Sequence, residues 1–122
     1  MMLFFQMEAR KDYSVEQKEQ FLALHDFNEK QLDYFQTLFH NVTDHLEEID
    51  RILDKHTYKW RVDRMAKVDL AVLRLALGEI LYMDDVPAAA AIDEAVKLGK
   101  KFGGEDSFKF VNGILGKIVR DI

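Results

Sequence analysis

The 122-residue sequence contains no cysteine, which excludes disulfide bonds, thiolate catalysis and zinc–cysteine sites. No apolar run approaches the roughly 18 residues that a membrane-spanning helix needs. The amino-terminal residues also lack the basic segment and the cleavage site of a signal peptide. We therefore expect a cytoplasmic protein, and the length predicts a single domain over residues 1–122.

The sequence also lacks strand signals, since only one proline occurs and no alternating apolar and polar stretch is bounded by turn residues. Apolar residues instead recur every three or four positions, which predicts an all-α protein of five or six helices in one bundle. A short helix is predicted from Val15 to about Leu24, and a long one over Asp33–Lys55. Capping boxes are predicted at their starts, formed by Ser14 with Gln17 and by Asn28 with Gln31.

A third helix, predicted from Lys67 to Met83, is apolar nearly all round and should lie at the centre of the fold. After Lys67 at its start, three charged residues sit on it. Arg74 and Glu79 would be costly to bury alone, so an internal ion pair or a cap is one interpretation of both. Asp69 lies near the amino end, where a carboxylate suits the helix dipole and could face a partner.

The carboxyl-terminal part predicts two more helices. Pro87 suits the first turn of one of them, and a stripe of mostly small side chains that ends at Phe102 would let a neighbouring helix approach closely. Gly103-Gly104 should end this helix, because glycine tolerates positive φ. The final helix is expected to start near Ser107.

No catalytic constellation is present. The four histidines, His25, His40, His45 and His56, lack the spacing of a helical metal pair, and no phosphate-cradling glycine-rich motif occurs. We expect the histidines to have surface roles. The sequence predicts neither an enzyme nor a cofactor.

The net charge of −5 exerts no general attraction on nucleic acid, yet the basic residues are unevenly placed. Residues 86–122 carry six basic and five acidic side chains, against 11 and 17 in the rest of the chain. Lys100 and Lys101 precede the Gly103-Gly104 turn, and Lys109 follows it. This arrangement predicts a basic patch around one turn.

Phe110 is displaced from the core stripe of the last helix by about 120°, on the side of Gly113 and Lys117. A helix amino terminus with lysines on both sides and a displaced aromatic ring suits single-stranded nucleic acid, because lysines bind phosphates and the ring stacks on a base. The alternative is that Phe110 packs against another helix and the lysines are solvated. Spacing alone leaves both interpretations open.

An ordered series of short segments from Arg61 onward resembles the NusB family of bacterial transcription antitermination factors. The match is strong over Asp63–Ile118 and looser over Leu3–Trp60, and Asp93 stands where the family usually has asparagine. The segments are Asp63-Arg64-Met65, Val68-Asp69, Leu73-Arg74-Leu75-Ala76, Glu79-Ile80-Leu81, Asp85-Val86-Pro87, Ile92-Asp93-Glu94-Ala95, Lys101-Phe102-Gly103-Gly104-Glu105-Asp106-Ser107 and Lys109-Phe110-Val111-Asn112-Gly113.

The resemblance implies a helical fold of two packed three-helix groups and a non-enzymatic role. Family members pair with NusE, a ribosomal small-subunit protein, bind boxA RNA, and join other Nus factors and RNA polymerase in a complex that resists termination, especially on ribosomal RNA operons. They are monomers or homodimers when free. Together with the basic turn, the resemblance predicts an RNA-binding surface and a NusE-binding surface. The first contains Phe4, Lys100, Lys101, Gly104, Asp106, Lys109, Phe110 and Lys117, and the second contains Asp69, Arg74 and Glu79.

One departure from the family concerns the amino terminus. Family members typically open with an arginine-rich segment that contributes phosphate contacts, whereas Leu3-Phe4-Phe5-Gln6 resembles the end of their first helix. Without those arginines, weaker RNA binding is expected. This leaves an alternative function, a protein-interaction module with little RNA affinity of its own. Fusion of such domains to RNA cytosine methyltransferases suggests a third role, which needs a catalytic cysteine and a further domain.

Overall fold

The computed structural model describes residues 2–57 and 62–122, and Arg61, where the resemblance begins, lies outside these ranges. Within them the chain forms seven α-helices and one short 3-10 turn, with no strand, which confirms the all-α fold class. No helix in these ranges is long and apolar enough to cross a membrane. The helices are α1 (Met2–Arg10), α2 (Val15–Ala23), α3 (Glu29–Asp44), α4 (Leu46–His56), α5 (Lys67–Tyr82), α6 (Ala88–Gly103) and α7 (Glu105–Asp121), and the 3-10 turn is Val62–Arg64.

Helix α5 lies at the centre of the fold, as its all-round apolar sequence predicts. Every residue from Asp69 to Glu79 is buried, and α5 contacts α1, α3, α4, α6 and α7. Helices α5, α6 and α7 also contact one another as one three-helix group, against which α1, α3 and α4 pack. The core therefore surrounds α5, whose two ends reach the edge of the bundle.

Only one of the two predicted capping boxes forms. The Asn28–Gln31 capping box forms as predicted, but the Ser14 hydroxyl makes no cap hydrogen bond. The Asp12 carboxylate replaces it, accepting hydrogen bonds from the Ser14 amide at 3.0 Å and from Gln17 Nε2 at 3.1 Å. Asp12 is thus the side chain that fixes the entry to α2.

The predicted long helix over Asp33–Lys55 is two helices, because the chain breaks between α3 and α4 at His45. The backbone there has φ −118° and ψ 22°, outside the helical range. The His45 ring stacks on the ring of Tyr82 at 3.8 Å between centroids, and its Nδ1 lies 2.9 Å from the Asn41 carbonyl oxygen. The break thus coincides with a contact to α5, and the helical periodicity that continues through His45 does not reveal it.

Candidate nucleic-acid interface

The connection between α6 and α7 is a tight turn, referred to below as the α6–α7 turn and formed by Gly103 and Gly104. Gly104 has φ +86°, a conformation that favours glycine, and its amide donates to the Lys100 carbonyl at 3.0 Å. A Cβ on Gly103 would lie only 2.7 Å from the Cβ of buried Ser107. The two glycines thus serve different needs, backbone conformation at Gly104 and close packing at Gly103.

Three lysines surround this turn, as predicted. Lys100 and Lys101 occupy the last turn of α6, Lys109 lies in α7, and all three are exposed. The Nζ atom of Lys100 is 3.1 Å from a carboxylate oxygen of Glu105 across the turn. Lys109 forms no ion pair with any residue in the described ranges. Lys109 is therefore the lysine most directly available to an incoming anion.

The exposed ring near the turn is that of Phe102, which the small-residue stripe wrongly assigned to the packing face of α6. It is 41% exposed, and the Lys101 Nζ lies 5.3 Å from its centroid, within the range of a cation–π contact. Phe110, in contrast, is half-buried and packs in part against the hydrophobic core. Sequence reasoning missed Phe102 because the stripe continues regularly to the end of α6, and its spacing does not reveal that no other element in the described ranges covers this ring.

A cavity of about 560 Å³ lies beside the turn. It forms where the 3-10 turn, the start of α5 and the start of α7 converge, so Asp69 and Phe110 meet there although they come from different helices. The sequence had assigned these two residues to separate surfaces. The cavity is lined by Arg64, Met65, Ala66, Asp69, Asp106, Ser107 and Phe110.

The charges of this cavity restrict what it can hold. Asp69 and Asp106 lie in the first turns of α5 and α7, where the helix dipoles stabilise their carboxylates. Within the described ranges, the buried Asp69 Oδ1 accepts no hydrogen bond. The two carboxylates outnumber the single cation of the cavity, Arg64, and so disfavour a phosphate inside it, whereas the unpaired carboxylate oxygen favours a hydrogen-bond donor. The cavity therefore suits an uncharged base or a donor group of a partner, and phosphates suit the lysines outside it.

Two predicted RNA-binding residues lie away from the turn. Phe4 is 5% exposed within the core, so in this structure it packs and presents almost no surface to a ligand. Lys117 is exposed but lines a different cleft, together with residues of α4. A role of either residue in RNA binding stays a prediction.

Arg74, predicted for the partner surface, lies inside an ion-pair network, which confirms the internal alternative. Its side chain is 5% exposed and its Nη1 lies 2.9 Å from a carboxylate oxygen of Glu8. Its Nε and Nη2 donate to the two oxygens of Asp50 at 3.0 and 2.8 Å, and its Nη1 also donates to the Tyr13 hydroxyl at 2.8 Å. Arg74 thus joins α1, α4 and α5.

Glu79 is also buried, and its hydrogen-bond partner among the described residues is a hydroxyl. The Tyr34 hydroxyl of α3 donates to a carboxylate oxygen of Glu79. Burial raises the pKa of Glu79 and the charge of Glu94 adds to that rise, although the Tyr34 hydrogen bond opposes it. Glu79 therefore links α5 to α3 as part of the interior.

Acid should weaken the fold through Glu8. Burial raises the pKa of Glu8, but the hydrogen bonds and charges of Lys11 and Arg74 outweigh burial and lower it overall. A carboxyl whose folded pKa is depressed stabilises the fold above its unfolded pKa, and this contribution is lost as the pH falls through the folded value. We expect the free energy of unfolding, measured in urea, to fall between about pH 5 and pH 3, and to fall less steeply in Glu8→Gln. Equal slopes for the two proteins would contradict this assignment.

The histidines only partly match their predicted surface roles. His25 and His40 are exposed, whereas His45 and His56 are half-buried. Within residues 2–57 and 62–122, no three histidine or acidic side chains lie close enough together to hold a metal ion.

Comparison with known proteins finds relatives over nearly the whole chain. The model of the NusB family matches residues 1–120. The transcription antitermination protein NusB of Acetivibrio thermocellus is 43% identical over 98% of this chain and 83% of its own length. The protein of the same name from Bacillus subtilis is 41% identical over 80% of this chain and 76% of its own.

Solved structures share the fold. T. maritima NusB matches 98% of this chain and 84% of its own with a TM-score of 0.88 and 35% identity. A second similar structure is NusB from a crystal structure of NusB and NusE in complex with double-stranded RNA. The superposed region covers 98% of this chain and 89% of that chain, with a TM-score of 0.88 and 28% identity. The fold is thus that of the all-helical transcription antitermination proteins. The chain belongs to the NusB family.

Proposed function

We propose that this protein binds boxA RNA jointly with the ribosomal protein NusE in the cytoplasm. With other Nus factors, the complex would help RNA polymerase to resist termination, notably on ribosomal RNA operons. Residues 1–122 act in this role as one non-enzymatic domain. Support for the two partners comes from the similar NusB that was solved with NusE and double-stranded RNA.

The α6–α7 turn carries the RNA part of the proposal. Exposed Lys101 and Lys109 lie on the two sides of the turn, next to exposed Phe102 and half-buried Phe110. Proteins that bind single strands combine cations for the phosphates with aromatic rings on which the bases stack. The turn offers both. The two carboxylates of the neighbouring cavity disfavour phosphates there, so phosphates should bind at the lysines outside it.

Asp69 is the proposed contact for NusE. Its buried Oδ1 has no hydrogen-bond partner within the described ranges, and a buried acceptor without a partner is unfavourable. A donor group of the partner protein entering the cavity would relieve this cost. Arg74 and Glu79 support the same surface from inside, because they hold α5 against α1, α3 and α4.

The proposed RNA contacts predict a measurable loss of affinity. We expect Phe102→Ala, and the double variant Lys109→Ala with Phe110→Ala, each to weaken binding of boxA RNA by about 1 kcal/mol or more, roughly fivefold, because stacking is lost in both and one phosphate contact in the second. Fluorescence anisotropy with labelled RNA, with and without NusE and across a salt series, measures this.

Leu24→Ala is the control, because Leu24 is 81% exposed and lies outside the turn; its affinity should equal that of the wild type. Thermal unfolding of each variant checks that the proteins are folded. Unchanged affinity in both turn variants would contradict the assignment of RNA binding to the α6–α7 turn. If NusE binds by calorimetry but no RNA associates even in the ternary mixture, the chain is instead a protein-interaction module.

A further inference from the structure

A second cleft, of about 340 Å³, lies where the last turns of α4 and α7 meet and is called the α4–α7 cleft below. Lys55 and His56 of α4 and Lys117, Arg120 and Asp121 of α7 line it. Two lysines and an arginine thus face one carboxylate, on a protein whose net charge is −5. The cleft is locally positive on an otherwise acidic molecule.

The single carboxylate of the cleft is already engaged. His56 Nε2 lies 2.8 Å from Asp121 Oδ2, and His56 Nδ1 lies 2.8 Å from the Ile52 carbonyl oxygen. The His56 side chain is only 10% exposed, so it anchors the cleft, and its contact with Asp121 occupies the one carboxylate there.

The remaining cations of the cleft have no ion-pair partner in the part of the chain that the structure describes. Within residues 2–57 and 62–122, Lys55, Lys117 and Arg120 form no ion pair, and all three are exposed. The Arg120 guanidinium folds back along α7, since its Nη1 lies 3.7 Å from where a Cβ on Gly116 would be. The dipoles of α4 and α7 both favour cations at these helix ends, but neither dipole supplies a discrete counter-ion. Convergent, unpaired cations point to an anionic ligand.

Helix α7 connects this cleft with the α6–α7 turn. Phe110, Gly113 and Lys117 are spaced at i, i+3 and i+7, which places them on one side of the helix, with about 10 Å from first to last. Gly113 is exposed, and nothing lies within 4 Å of where its Cβ would be. The surface of α7 is therefore open at Gly113, between Phe110 and Lys117.

We propose that the α4–α7 cleft binds the phosphodiester backbone of RNA that continues beyond the α6–α7 turn, with Lys55, Lys117 and Arg120 as the phosphate contacts and His56 as the anchor. The inference rests on the proposed function and extends it, because it assigns a second RNA contact to residues outside the turn. Bases stack at one end of α7 and phosphates bind at the other.

The test uses RNAs of two lengths with the full chain and NusE: boxA alone, and the same RNA extended at both ends by unstructured uridines. The variant is Lys55→Gln with Arg120→Gln, two exposed positions whose replacement leaves the core intact. Loss of two phosphate contacts should reduce the slope of log affinity against log salt by about 1.4 for the long RNA. For boxA alone, the affinity and the slope should stay as in the wild type.

The matched control is Lys30→Gln with Lys97→Gln, which removes the same charge from exposed positions on α3 and α6 and should leave the difference between the two RNAs unchanged. An unaltered slope for the long RNA, or an equal loss with both RNAs, would overturn the cleft assignment while the turn site stands. If the wild type and NusE bind neither RNA, the proposed function itself fails, and this inference fails with it.

Discussion

Replacing Arg74 with methionine should destabilise the protein by about 3 kcal/mol or more. The guanidinium is buried and donates to Glu8, Asp50 and Tyr13. Methionine fills a similar volume but leaves the Glu8 carboxylate, itself 6% exposed, without its buried cation. Urea unfolding should show a lower midpoint at an unchanged dependence on denaturant.

A second substitution separates the loss of the ion pair from a simple packing defect. Glu8→Gln in the Arg74→Met background removes the stranded charge, so the double variant should be more stable than the sum of the two single losses predicts. Lys97→Met is the surface control, since Lys97 and Asp93 form an exposed pair, and it should leave the free energy of unfolding nearly unchanged. Additive losses at Glu8 and Arg74 would rule out the proposed coupling.

The second large effect is expected at the α6–α7 turn. Gly103→Ala should cost about 1–3 kcal/mol, because the new Cβ would lie 2.1 Å from Ser107 Oγ and 2.7 Å from Ser107 Cβ. Ser107 is buried and cannot swing into solvent, so α6 and α7 must move apart. The free energy of unfolding, measured in urea, gives the loss.

Gly113→Ala, in the neighbouring helix α7, should give the opposite result. Gly113 is an exposed position inside α7 with nothing within 4 Å of a new Cβ, so alanine should stabilise the protein by about 0.5–1 kcal/mol through helix propensity. Ser107→Ala combined with Gly103→Ala removes the shorter of the two contacts and should restore part of the loss. If Gly103→Ala is instead as stable as Gly113→Ala, close packing is not what requires glycine at the turn.

Much of the helical architecture could be predicted from local sequence. The position of α5 followed from apolar residues on all its sides, and the start of α3 followed from a cap that needs only Asn28 and Gln31. What failed depended on partners that spacing does not reveal. Asp12 binds the Ser14 amide and the Gln17 side chain where a Ser14 cap was predicted, and a ring contact with Tyr82 accompanies the helix break at His45.

The candidate site was predictable only in part. The turn and its lysines are adjacent in sequence, so composition and glycine placement located them. The cavity was not predictable, because Asp69 and Asp106 come together only when the starts of α5 and α7 pack side by side. Burial likewise separated Arg74 and Glu79 from the surface on which the resemblance to the family had placed them.

The ion pair between Lys100 and Glu105 should lower the net number of counterions that are released when RNA binds. In the free protein this ammonium already has a carboxylate 3.1 Å away, so a phosphate that reaches Lys100 replaces one anion by another. Lys109 has no ion-pair partner among the described residues. A phosphate that binds Lys109 therefore displaces no carboxylate of the protein. The number of contacts deduced from a salt titration should therefore be smaller than the number of lysines at the turn, since displaced Glu105 must itself recruit a counterion from solution.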